Sequence, residues 1–204
     1  MSDMSSNHNS ELTYIGFSFI RYSRIAKGEW PMILKPQDVL VLLKLVSIYP
    51  HEWAYNTLAV DLGMSPSEVH AAVKRSVKAG LANQGESQIR PNISRLEEFL
   101  VYGIQYVFVP DRGELTRGMP TAIAAKPLLG KIVMPDEPAP VWPDPEGPER
   151  GQAFSPLYKS VPKAAREDAI LYEYLVIVDA IRGGRARERE LAIKELKMRF
   201  RQWL

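Results

Sequence analysis

Residues 58–81, LAVDLGMSPSEVHAAVKRSVKAGL, constrain the fold more than any other stretch, because local signals in them stop one helix and start another. Leu58, Ala59 and Leu62 make a short apolar stripe at helical period, and Gly63 stands where a left-handed cap would end a helix. Ser65 can accept a backbone N–H as N-cap, Pro66 suits the first helical position, and Glu68 completes a Ser-x-x-Glu capping box. The spacing therefore predicts a second helix opening at Ser65, with Val69, Ala72, Val73, Ser76 and Val77 on its inner face. Ser67, His70, Ala71, Lys74, Arg75 and Lys78 lie on or near the opposite face, which is polar and mostly basic.

A helix opened by small polar residues and carrying cations further along is what a DNA major groove requires, base edges meeting its first half and phosphates its Lys and Arg. On that reading Ser65, Ser67, His70 and Ala71 face bases, while Lys74, Arg75 and Lys78 face phosphates. The pattern LA-x-x-LG-x-S-x-x-x-V, closed by Ala79-Gly80-Leu81, resembles the winged helix-turn-helix of MarR-like and Lrp-like bacterial transcription regulators over about residues 35–92. The resemblance implies a tri-helical core with a small β wing, and a non-enzymatic regulator that binds double-stranded DNA. Similar tri-helical cores also serve as protein-interaction modules, so the fold does not by itself name the function.

Composition narrows the classes. A chain of 204 residues with 46% apolar content can bury a substantial core. The absence of cysteine excludes disulfides, thiolate catalysis and Cys-ligated zinc. No run is long enough to span a membrane and MSDMSSNHNS lacks a signal-peptide layout, so a cytoplasmic protein is expected. The net charge of +2 rules out a general polyanion binder, so affinity for nucleic acid must come from local clustering. Lys74, Arg75 and Lys78 against Glu68 are a modest cluster, and a homodimer is expected if binding is to be strong.

The rest of the chain divides by composition. Residues 1–30 read as a polar start followed by LTYIGFSFIRYSRI, a strand or extended arm. Residues 31–106 hold the winged helix-turn-helix and a following helix. There QDVLVLLKLVSI is its buried first helix, Trp53 and Tyr55 are core aromatics, and ANQGESQIRPN is a hairpin wing. Arg90 is the wing's one cation, either a phosphate contact or solvated surface. Ser94 to Glu97 reads as a further capping box, and Gly103 inside the helix it opens implies close approach of a neighbouring backbone. Residues 107–134 form a loop-rich extension in which Asp111, Arg112, Glu114 and Arg117 cluster, but no His accompanies these carboxylates and catalysis is not expected. Residues 135–150 form a Pro-rich acidic connector whose Trp142 should dock on the body or on a partner.

Residues 151–204 should make a C-terminal helical hairpin, broken at Gly183 and Gly184. Its second half carries Arg182, Arg185, Arg187, Arg189, Lys194, Lys197, Arg199 and Arg201 against Glu188, Glu190 and Glu195. The overall expectation is a mainly α protein with a small β wing, needing no cofactor and no metal. The leading function is a sequence-specific DNA-binding transcriptional regulator. One alternative is an antitoxin-like or adaptor protein that holds another protein through its C-terminal half. Another is an effector-sensing regulator with Tyr102, Tyr106, Phe108 and Trp142 lining a pocket.

Overall fold

The computed structural model describes residues 33–85, 88–132 and 136–203. The N-terminal arm expected in residues 1–30 lies outside the described residues. The chain is mainly helical with a small amount of sheet, and Leu34–Leu204 forms one compact unit. Among the described residues no helix is long and apolar enough to cross a membrane.

Helix α1, Pro36–Ser47, is as buried as its Leu/Val density requires, with Val39 to Val46 all enclosed, Lys44 among them. Each such Leu or Val contributes roughly 1.5–3 kcal/mol relative to exposure. Lys44 is held between Asp61 (3.1 Å) and Asp168 (3.0 Å). Helix α2, Tyr55–Leu62, ends at Gly63 (φ 59°), where Met64 N–H donates to Ala59 O and Gly63 N–H to Val60 O. That is the paired closure a left-handed glycine permits. Helix α3, Pro66–Lys78, opens with the predicted capping box, and antiparallel strands β1, Ala82–Gln84, and β2, Ile89–Pro91, follow it.

The next helix starts earlier than the Ser94 box suggests. Asn92 accepts from Arg95 N–H and caps α4, Ile93–Glu98, which runs through a π-helical turn, Phe99–Gly103, into α5, Ile104–Val107. Gly103 closes the π turn, and a Cβ there would lie 3.1 Å from the Phe99 ring. Close approach is thus to an aromatic ring of the same helix rather than to a neighbouring backbone.

Parts of the expected loop-rich extension and connector join a sheet, while residues 121–132 remain turns. Strand β3, Arg112–Pro120, pairs antiparallel with β4, Pro140–Pro143, and with β5, Glu149–Phe154, while β4 and β5 pair parallel, closing a small three-stranded ring. Gly118 allows this closure, since a side chain there would strike the Trp142 carbonyl. Trp142 in β4 is wholly buried, its Nε1–H donating to Asp179 (2.6 Å).

Helices α6, Val161–Glu167, α7, Ala169–Gly183, and α8, Ala186–Phe200, complete the chain. The expected separate hairpin becomes the centre of the molecule, because α7 packs on α1, α5, α6, α8 and the Ala122–Ala124 turn. Tyr174 to Arg182 are all buried, so that part of α7 is enclosed on every side, while Ile170 in its first turn is exposed.

Candidate nucleic-acid interface

Helix α3 owes its orientation to both faces of its sequence. Val69, Ala72, Val73 and Ser76 are buried against α1 and α2, which leaves Ser67, His70, Lys74 and Lys78 exposed along the outer side. The His70 ring lies 5.3 Å from that of Tyr55 in α2. Arg90 is exposed on β2 opposite Asn83 of β1. A shallow groove of about 400 Å³ between α3 and the hairpin is lined by His70, Lys74, Val77, Gln84 and Ile89, with Tyr55 and Val73 beneath. Among the described residues, Lys74, Lys78 and Arg90 have no carboxylate within ion-pairing distance.

Three residues expected to join this row are placed otherwise. Arg75 turns inward, where its Nε and Nη2 donate to the two oxygens of the fully buried Asp38 at 2.8 and 2.5 Å. A guanidinium so engaged is structural, and sequence periodicity missed it because the partner sits 37 positions away. Ser65 is exposed, but its hydroxyl accepts from Glu68 N–H and donates to the Glu68 carboxylate (2.7 Å), so it is spent on the cap. Ala71 is half-buried beside the exposed row.

The C-terminal half braces the turn between α2 and α3, which the sequence did not announce. Tyr158 Oη–H donates to Glu68 (2.7 Å) and Ser160 Oγ–H to Leu62 O (2.5 Å). Exposed Lys159 and Lys163 come with this segment, Lys163 lying beside Gly63, and add positive charge near the start of α3. The available signal was Pro162 two residues after Ser160, which marks a helix start but not its neighbour.

Glu68 is the electrostatic hinge of this corner. Its carboxyl is lowered from 4.5 to about 2, first by the Ser65 backbone N–H, then by the Tyr158 and Ser65 hydroxyls. A lowered folded-state value stabilises above the unfolded one, so the cap's contribution is complete above pH 4.5 and is lost as pH falls through about 2. Carboxyl NMR titration should find Glu68 still ionised at pH 3. Tyr158→Phe should move its midpoint upward, and a midpoint unmoved by that change would remove the brace.

The aromatic pocket expected from Tyr102, Tyr106, Phe108 and Trp142 does not form. Tyr102 and Tyr106 are 66% and 77% exposed, Phe108 packs on Phe99, and Trp142 is sealed in the core. Asp111 just before β3 and Glu114 and Arg117 on it are exposed, and among the described residues no group of three or more His, Asp or Glu side chains is placed to hold a metal ion.

Half of the basic residues of the C-terminal hairpin are engaged within the chain, while Arg187, Lys194 and Arg201 are exposed. Arg182 pairs with Asp179, Arg185 with Glu137, and Arg199 with Glu173 and Glu195, while Arg189 donates to the Ile181 and Gly184 carbonyls at the end of α7. A comparison of the chain with protein-family models, with curated proteins and with solved structures found no match in any of the three.

Proposed function

We propose that this protein binds double-stranded DNA through α3, as a winged helix-turn-helix transcriptional regulator acting as a dimer. The observation that carries the reading is the exposed row Ser67, His70, Lys74 and Lys78 on a helix whose other face is buried, flanked by Arg90 on the hairpin. In this arrangement Ser67 and His70 reach base edges, Lys74 and Lys78 reach phosphates, and Arg90 follows the backbone from the wing. The adaptor alternative has the C-terminal half hold another protein, whereas α7 in that half is packed into the body of the same chain.

The test is duplex binding as a function of salt. Each phosphate contact adds about 0.9 to the slope of log affinity against log salt, so Lys74→Ala with Lys78→Ala should flatten it by about 1.8 and weaken all sequences alike. Ser67→Ala should change preference among sites selected from random duplexes without changing the slope. Absence of salt-sensitive binding, together with no enriched site from the wild-type chain, would sink the reading.

A further inference from the structure

A cleft of about 420 Å³ opens between β5, the Ala122–Ala124 turn, residues 137–140 and the turn joining α7 to α8. Its size falls within the range usual for small-molecule sites, and its lining combines an apolar part with a few convergent polar groups. Ala122 and Ile123 are buried, while Arg112, Arg185, Glu137 and Glu188 supply charge of both signs.

Two independent features mark this cleft. The first is Arg112. Its guanidinium is held in place by donation to Gln152 Oε1 (3.2 Å) and Gly183 O (2.9 Å) and lies over the Phe154 ring at 5.5 Å. Both acceptors are neutral, and among the described residues no carboxylate lies within ion-pairing distance of it. A fixed guanidinium with N–H groups to spare and no counter-ion is suited to a carboxylate, which can accept two N–H bonds from one fork. The neighbouring arginine shows the pairing already made: Arg185 holds Glu137 at 2.6 Å, both side chains remaining more than half exposed.

The second feature is Ala122, the one non-glycine residue among those described with a left-handed backbone, at φ 49°. Such strain in an L-residue persists only where its surroundings impose it, and it concentrates at ligand clamps and switches.

We propose that the cleft is a binding site for a small organic carboxylate, received by Arg112, with its apolar body against Ala122 and Ile123. No α3 residue lines it, so the proposal stands apart from DNA binding.

The full chain, isotope-labelled, would be titrated with acetate, benzoate and phenylacetate, and with neutral benzamide as the shape-matched control. At roughly 10 mM probe, in the range where fragment-sized ligands register, benzoate or phenylacetate should shift the Ala122, Gln152 and Gly184 amides saturably. Benzamide should bind about tenfold more weakly, and Arg112→Gln should weaken benzoate about tenfold, the scale of one lost charge-assisted pair. Arg187→Gln, an exposed arginine of α8 outside the cleft, should leave binding unchanged. The proposal is overturned if none of the three carboxylates shifts these amides, if benzamide binds as well as benzoate, or if a folded Arg112→Gln chain binds benzoate as the wild type does. The amide comparison uses the wild-type chain and decides the matter even if the variant fails to fold.

Discussion

Asp179→Ala is expected to destabilise the protein by about 3–5 kcal/mol, the range for breaking a buried ion pair from one side. Asp179 is 1% exposed and gathers three donors from three parts of the chain: Trp142 Nε1 in β4 (2.6 Å), Thr121 Oγ1 before the Ala122–Ala124 turn (2.8 Å) and Arg182 Nε in α7 (2.7 Å). Alanine would strand the indole N–H, the hydroxyl and a guanidinium whose remaining partners are the Phe108 and Ser155 carbonyls and the Phe154 ring. Since a domain's whole stability is about 5–15 kcal/mol, this one change should move the urea midpoint far while leaving the slope of unfolding intact. Asp179→Asn keeps the shape and one acceptor and should fall between. Leu115→Ala, at a side chain 54% exposed, should stay within about 0.5 kcal/mol. A midpoint loss for Asp179→Ala no larger than that of Leu115→Ala would show that the network does not tie β4 to α7.

Arg75→Ala should cost about 3 kcal/mol for the same reason, since the Asp38 carboxylate left behind is wholly buried at the start of α1. Asp38 would keep one donor, the Lys35 backbone N–H (2.8 Å). Arg75→Lys should rescue little, because an ammonium cannot span both carboxylate oxygens in the plane that Nε and Nη2 occupy. The consequence for DNA binding separates the two readings of this residue. At a temperature where the variant stays folded, its duplex salt slope should equal the wild type's, whereas a phosphate-contacting Arg75 would lower it by about 0.9. A folded variant of wild-type stability with a flattened slope would return Arg75 to the interface.

The pieces legible in the sequence are those whose causes lie within one turn of chain. The Ser65 and Glu68 box and the Gly63 stop depend on partners three to five residues away and stand where spacing put them, and α1 was legible from its density of Leu and Val. Trp142 was readable in a weaker sense: an indole in a polar connector has to dock somewhere, and it docks on α7. The exposed row of α3 follows from its buried face, so Ser67, His70, Lys74 and Lys78 were recoverable as a set.

What sequence reading missed has partners far along the chain. RGELTRGMP lacks the alternating β-branched pattern of an independent strand, and it is extended because residues 140–143 and 149–154 pair with it. The removal of Arg75 from the exposed row of α3 follows from Asp38, and the brace on α3 from Tyr158, 90 positions beyond Glu68. A chain ending at residue 134 would lack β4 and β5, the partners of β3, and also α7, the helix against which α1 is packed.

Caps and periodicity, acting over hydrogen bonds that span one turn, suffice to read the stop of α2, the start of α3 and the polar face of α3 from the chain alone. The tertiary structure alone decided which charges remain available outside. Each arginine in α3 and the C-terminal hairpin either meets a buried carboxylate or carbonyl or stays in water, and that choice depends on which distant segment the collapse of the apolar core brings beside it.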